Sequence, residues 1–262
     1  MPVSVNQTQG LAGALVGGSN RYNAGGPAEM GMTTIRLYTD FDGPLVDVAE
    51  RYYRVYLECC ERVPSDTPKL PLSRNAFWEL KRAQVPEREI AWRSGFQKPE
   101  QTAAFVHWRQ TLVHSAPFLI YDRPWPTAIA ALDQAAKAGI DLAIVTMRRQ
   151  RELLPAVAGY GLGHLFREDR RFCLADDYQK TGDTLDKPQL LRRAITSLPP
   201  CTQAWMVGDT EADILAAQRN NIPVIAVTCG IRNETQLALH HPNHIVRDLS
   251  AAIALILAHA PS

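Results

Sequence analysis

The sequence predicts an α/β protein: a three-layer core with a central parallel sheet, carrying an all-helical block inserted after its first strand. Three observations predict this. From residue 124 onward, short apolar runs alternate with helical patterns, which is how strands buried on both faces and covered by helices read. One more run of that kind, residues 35–39, stands far upstream. Between the two, residues 49–123 show only helical periods.

Taken in order, residues 1–31 hold seven of the 16 glycines and two charges, Arg21 and Glu29. No period persists there, so this stretch reads as a flexible tail. It is not a phosphate loop, since no strand precedes the glycines and no G-K-[ST] follows. Residues 35–39 are a strand. Residues 46–62 carry a helical stripe of Val48, Tyr52, Val55, Tyr56 and Cys59. Pro64, Pro68 and Pro71 then break the chain. Ser73 suits a helix cap, Pro86 the first turn of a second helix, and a third helix runs over 99–113. Pro124 and Pro126 close the block. Helices are then expected at 127–138, 153–159, 188–197 and 211–220. Strands are expected at 142–146, 171–174, 204–207 and 224–228, with a short strand and helix to finish. The division is a tail at 1–31, a core at 32–48 and 124–262, and a helical insert at 49–123.

Composition narrows the function. Lys and Arg number 28 against 27 Asp and Glu, a net charge of +1, which argues against a nucleic-acid binder driven by bulk charge. No apolar run approaches the ~18–20 residues that cross a bilayer. A chain this long buries roughly 70–75% of its unfolded surface and needs no staples to fold. Its five cysteines are odd in number and form no C-x-x-C pair, and the first ten residues carry no Lys or Arg. Reduced thiols in a cytoplasmic protein are expected.

The chemistry concentrates at predicted strand ends, where open α/β sheets bind ligands. In Thr39-Asp40-Phe41-Asp42-Gly43-Pro44-Leu45 two aspartates stand one residue apart, so in extended chain both point one way. Such a pair repels unless a cation or proton intervenes; an Asx-type turn is the plain alternative. In Gly208-Asp209-Thr210-Glu211-Ala212-Asp213 the two aspartates fall about one helical turn apart, suiting Mg²⁺ or, more simply, a helix cap. Thr146-Met147 offers a hydroxyl and free N–H groups at a third strand end. Lys187-Pro188 places an ammonium before a helix. Taken singly, a satisfied hydroxyl and a surface lysine explain these last two.

Together the four pieces resemble, in order, the motifs of the haloacid dehalogenase-like superfamily: D-x-D-G, a Thr after an apolar strand, a Lys, and G-D-x-x-x-D. The spacings are 106 positions from Asp40 to Thr146, 41 on to Lys187 and 22 on to Asp209. The first gap leaves room for a helical cap, and the resemblance covers roughly residues 33–258. It implies a Rossmann-like core and phosphoryl transfer through a phospho-aspartate. Asp40 would be the nucleophile and Asp42 the general acid and then base. Thr146, the Met147 N–H, Gly43 and Arg148 would hold the transferring oxygens, and Lys187 would neutralise them. Mg²⁺ would sit on Asp40, the Asp42 carbonyl and Asp209, with Asp213 a ligand or its support. With Asp42 protonated, the carboxylates of Asp40, Asp209 and Asp213 balance Mg²⁺ plus Lys187. Pro44 departs from the family pattern, which most often has Thr there. That takes away a supporting hydrogen bond and leaves the reacting groups in place.

Within that family, dehalogenases lack an acid at the position of Asp42 and phosphonate-cleaving members replace it. The resemblance therefore implies a phosphatase acting on a small phosphorylated metabolite, or else a phosphomutase. A non-catalytic binding module would have lost an essential group, and none is missing. The insert carries 12 basic and nine acidic residues, net +3, a mildly basic lid. Lys81, Arg82 and Arg93 are its candidate substrate contacts, while Trp78 and Trp92 are expected in its core. Gly159, Gly161 and Gly163 follow a helix and read as its cap and turn. His240, His241 and His244 flank Pro242 and read as a surface turn. Oligomeric state is not encoded in any of these features.

Overall fold

The chain folds as alternating strands and helices whose boundaries follow local chemistry; residues 34–259 are described by a computed structural model. The expected tail, residues 1–31, lies outside the described residues. Strand β1 (Ile35–Thr39) is buried throughout. A tight turn leads to β2 (Val46–Asp47) and then α1 (Ala49–Arg62). The helix expected from residue 46 thus begins at Ala49. Val46 and Asp47 pair antiparallel with Pro124 and Arg123 instead, and Asp47 Oδ1 accepts the Ala49 N–H at 2.9 Å. Next come α2 (Arg74–Arg82), capped by the Ser73 hydroxyl, α3 (Glu87–Arg93) directly after Pro86, and α4 (Pro99–Leu112). A single turn, α5 (Ala116–Leu119), then leads to β3 (Arg123–Pro124).

The alternation follows: α6 (Pro126–Lys137), β4 (Asp141–Arg149), α7 (Gln150–Gly159) and β5 (Arg171–Leu174). It continues with α8 (Asp183–Ser197), β6 (Gln203–Gly208), α9 (Glu211–Arg219) and β7 (Val224–Val227). A short α10 (Glu234–Ala238), β8 (His244–Val246) and α11 (Leu249–Ala258) close it. After α7 the glycines form the expected turn, with Gly161 at φ 68°. His240 and His241 lie in a turn as read, but His244 belongs to β8 and its ring packs against Trp205 and His259.

Helix α8 corrects the placement of Lys187, which lies inside the helix rather than before it. Pro188 has no N–H to give the Thr184 carbonyl one turn back. Arg219 Nη1 donates to that carbonyl instead, at 3.2 Å, so the helix continues through the proline. Upstream, Asp186 ties down the first turn by accepting the N–H groups of Thr181 and Gly182 and the hydroxyls of Thr181 and Tyr178.

The main sheet is parallel, in the order β5-β4-β1-β6-β7-β8, with β2 and β3 forming a separate antiparallel pair. Strand side chains alternate between two apolar layers. Leu37, Ile144, Val207 and Ile225 face a layer shared with α6 and α11; Tyr38, Val145, Met206 and Ala226 face one shared with α8 and α9. The first layer continues into the helical block through Tyr56, Phe77, Ile90 and Phe105. The chain runs from β1 to β4 and β5 on one side and to β6, β7 and β8 on the other. The order therefore reverses beside β1, where parallel sheets leave a crevice at the strand ends. Among the described residues no helix is long and apolar enough to cross a membrane.

Hydrogen bonding depresses the Asp186 carboxyl, with burial acting against it. Asp186→Ala should cost about 2 kcal/mol of unfolding free energy at neutral pH. The difference from wild type is present above the ordinary carboxyl value of 3.8 and shrinks as pH falls through the lower folded value. Urea titrations of both proteins across that range check it.

Candidate active site

Strands β1 and β6 are neighbours in register, with Thr39 opposite Val207, so Asp40 and Asp209 emerge side by side at their carboxyl ends. Asp213 joins them from the first turn of α9. Ligand atoms of Asp40, Asp209 and Asp213 lie within 4.8 Å of one another, and all three residues are buried. Lys187 reaches in from α8, its Nζ 2.6 Å from Asp40 Oδ2 and 2.5 Å from Asp213 Oδ1. Burial acts to lower the pKa of this ammonium, but Asp213 and Asp40 overcome that and raise it.

Each carboxylate has a distinct set of partners. Asp40 Oδ1 accepts the Phe41 N–H at 2.7 Å. Asp213 Oδ2 accepts the N–H groups of Asp209 and Thr210 and the Thr210 hydroxyl, so the expected helix cap is present. Its other oxygen faces Lys187, so capping and site roles coexist in one side chain. Asp209 Oδ2 accepts the Ile231 N–H at 2.6 Å, while Asp209 Oδ1 is buried without a hydrogen-bond partner. Burial, with Lys187 opposing, pushes Asp40 up to about 7; burial and the charges of Asp213 and Asp40 raise Asp209 well above the ordinary carboxyl range.

Room for these side chains comes from glycines. A Cβ on Gly43 would sit 2.3 Å from the Asp209 carboxylate, and one on Gly230 2.0 Å from it. Gly43 also has φ +89°, a conformation that disfavours other residues. The turn it forms, with Pro44 next, is held by Gly43 N–H to the Val46 carbonyl and by Trp125 Nε1–H to the Gly43 carbonyl.

Asp42 points to a different set of partners. Its Oδ2 is 2.6 Å from Arg51 Nη2, and its Oδ1 is 2.7 Å from Arg148 Nε. Both arginines also bind Asp122: Arg51 Nε at 2.9 Å from Oδ1, and Arg148 Nη2 to Oδ2. Two carboxylates and two guanidiniums thus form a closed, neutral quartet. Burial would raise the Asp42 carboxyl; Arg148 and Arg51 overcome it and hold it well below the usual range. The charge count with a protonated Asp42 is therefore corrected. Asp42 is ionised and already balanced; with Asp40, Asp209 and Asp213 all ionised, Lys187 would leave two negative charges, and burial together with that repulsion is what raises Asp40 and Asp209.

That remainder is what a divalent cation neutralises. An all-oxygen donor set is the kind that holds Mg²⁺, and the partnerless Asp209 Oδ1 is a donor with nothing bound to it. The residues present therefore fit such an ion.

A cavity of about 70 Å³ over the carboxylates is walled by Asp40, Asp42, Thr146, Met147, Arg148, Lys187 and Asp209. The structure thus brings together most of the residues singled out above. Strand β4 runs past Thr146 to Arg149 with a register shift after Val145, and Thr146 Oγ1 accepts the Arg148 N–H at 3.3 Å. Arg148 was expected to hold substrate; its guanidinium is occupied by Asp42 and Asp122.

The three candidates from the insert are not on this wall. Lys81 pairs with Glu87 at 2.6 Å and lies 5.5 Å from the centre of the Tyr52 ring. Arg82 donates to the Thr228 carbonyl at 2.5 Å, tying α2 to the core. Arg93 pairs with Glu89 one turn back on an exposed face. Of the two tryptophans expected in the cap core, Trp78 packs against it, but Trp92 is 57% exposed. Thr210 and Ala212 of the fourth motif add to the wall, and the rest of it comes from residues the sequence did not mark as site residues: Tyr52, His114, Lys180, Asp183 and Ile231. Burial and the nearby charge of Arg51 hold His114 well below the ordinary imidazole range, so the ring is neutral.

Known proteins match this arrangement. The family model for haloacid dehalogenase-like hydrolases matches residues 38–221. A 5'-nucleotidase of Pseudomonas aeruginosa is 29% identical over 106 residues, 40% of this chain and 48% of that protein. A phosphoglycolate phosphatase of Agrobacterium fabrum is 26% identical over 184 residues, 66% of each chain. The chain therefore spans between about half and two thirds of the length of these curated relatives. The crystal structure of a predicted phosphatase from Clostridium acetobutylicum superposes with a TM-score of 0.63 at 19% identity, over 86% of this chain and 99% of that one.

Removing one member of the quartet leaves buried charge unpaired. Arg51→Ala should lower unfolding free energy by about 3–5 kcal/mol, measured by urea denaturation. A loss below about 1 kcal/mol would mean that the quartet does not hold the helical block to the core.

Proposed function

The chain belongs to the haloacid dehalogenase-like hydrolases, and from that premise we propose that it is a Mg²⁺-dependent phosphatase acting on a small phosphorylated metabolite. The observation that carries this reading is the meeting of Asp40, Asp209 and Asp213 around Lys187 at the point where the strand order reverses. The names of the curated relatives, a 5'-nucleotidase and a phosphoglycolate phosphatase, support a phosphomonoester as substrate class. Helices α1 to α5 act as a cap over the site.

Asp40, Asp209 and the Asp42 main-chain carbonyl would hold the cation, with Asp213 supporting. When bound, Mg²⁺ supplies positive charge next to the transferring phosphoryl oxygens. Asp40 Oδ is the nucleophile toward phosphorus, giving an aspartyl-phosphate that water then hydrolyses. Lys187 opposes the burial that raises Asp40, favouring its ionised form, and offsets charge on the phosphoryl group. Thr146 and the Met147 N–H hold the remaining oxygens.

Asp42 is the candidate for moving the proton of the leaving group. Held as an ion by Arg51 and Arg148, it is a weak base, and taking a proton from water in the second half-reaction calls for those contacts to loosen. Giving one in the first half-reaction requires that Asp42 first be freed from those arginines and take up a proton from solvent or substrate.

A panel of phosphate monoesters, assayed with Mg²⁺ and with chelator, tests the reading. Phosphate release should vanish with chelator and return with Mg²⁺, and Asp40→Asn should lower it at least about a thousandfold with the fold intact. Retained hydrolysis in Asp40→Asn would sink the nucleophile assignment. Isomerisation of a sugar phosphate without phosphate release would point to a phosphomutase.

A further inference from the structure

The cavity over Asp40 holds about 70 Å³, roughly the share of two water molecules in the liquid. With a reacting phosphate placed over Asp40, so small a space leaves little room for the leaving group. A second cavity, of about 540 Å³, adjoins it, and His114 and Lys180 stand on the walls of both. The larger cavity lies between the end of α4 and α5 on one side and the start of α7 on the other, with Arg149, Arg151 and Glu152 on its wall.

Its charged groups differ in what they are free to do. Arg149 spends its guanidinium on the carbonyls of Ala175, Asp176 and Tyr178, at 2.9–3.0 Å. Arg151 Nη1 reaches the Asp176 carbonyl at 3.3 Å. Glu152 accepts the Arg149 N–H at 3.0 Å. His114 is a neutral polar group beside Arg51, its Nδ1 3.4 Å from Arg51 Nη1. Lys180, like Arg151, is only loosely engaged: its ion-pair partner Asp183 stands 3.7 Å away and is 59% exposed, while the lysine side chain is 31% exposed. With Arg149, Arg151 and Lys180 against Glu152, the lining of this cavity is net positive, and of those three cations Lys180 also lines the cavity over Asp40.

We propose that Lys180 is a specificity-determining residue that binds a second anionic group, carboxylate or phosphate, on the leaving-group side of the substrate. The substrate class is thus a short phosphomonoester with a further negative charge. This deepens the phosphatase reading and rests on it for the position of the reacting phosphate. A lysine ammonium suits the task, because a point charge on a flexible stem accepts either anion without a fixed geometry.

The test compares kcat/KM for phosphoglycolate and for ethane-1,2-diol bisphosphate, each against ethane-1,2-diol monophosphate, whose far end is neutral. Calorimetric binding of the same three compounds runs in parallel. Wild type should favour at least one anionic compound. Lys180→Ala should lower that preference about tenfold or more, in binding as in turnover, and Lys180→Arg should restore most of it. The two anionic arms distinguish carboxylate from phosphate. A preference unchanged in Lys180→Ala, or no preference in wild type, overturns the proposal while hydrolysis of the neutral ester leaves the phosphatase reading intact. Lys180-dependent binding of an anionic compound without hydrolysis of any ester would do the reverse. Neither binding nor hydrolysis would overturn both.

Discussion

The structure is organised around one electrostatic constraint: three carboxylates share a buried space with a single lysine. Like charges that close repel strongly where water is excluded, and neighbouring features serve to make the arrangement tolerable. The end of β1 and the end of β6 bring Asp40 and Asp209 together through plain parallel pairing. Gly43, Gly208 and Gly230 keep their backbones close enough that any Cβ would overlap an aspartate. Asp213 spends one oxygen on the amides that open α9. The arrangement remains two charges short of neutral, and that deficit defines the ion it suits.

The Asp42 quartet solves a different problem with the same currency of charge. Asp42 and Arg148 come from the core, and Arg51 and Asp122 from the two ends of the helical block. Because the four charges cancel, the contact between block and core is buried without an unpaired ion. A second contact, Arg82 to the Thr228 carbonyl with Gln84 to Glu211, holds the far side of the block. Two of the arginines expected to meet substrate therefore meet protein instead.

The parts of this that were legible in the sequence are the ones set by local pattern. Strands at 35–39 and 171–174 were readable because each is a short, mostly apolar run that stands apart from the helical periods around it. Helix starts were less so. At α8 the proline looks like a beginning, but Asp186 ties down an earlier first turn and Arg219 takes the Thr184 carbonyl that the proline leaves unpaired. The motif aspartates could be located because strand ends mark them. Arg51 could have been noticed: it lies three residues after Val48 and four before Val55, inside an apolar stripe where a bare charge demands a partner. Asp122, His114 and Lys180 had no such mark, since each reaches the site through chain folding that no local period records. Lys81, Arg82 and Arg93 lie away from the cavity wall, for the opposite reason. Their charge was visible, but not the glutamate or carbonyl that occupies it.

The short pairing of β2 with β3 sets Val46 against Pro124 and Asp47 against Arg123. The chain thus leaves the core and returns to it at adjacent points. To the core, the helical block is one loop closed by this two-rung clasp, in addition to the quartet and the Arg82 contact, and closing a loop depends only weakly on the length inside it. The block can therefore lengthen, shrink or be exchanged for another without re-threading the sheet. Whatever selects the substrate from that side can change while the carboxylates stay where β1 and β6 put them.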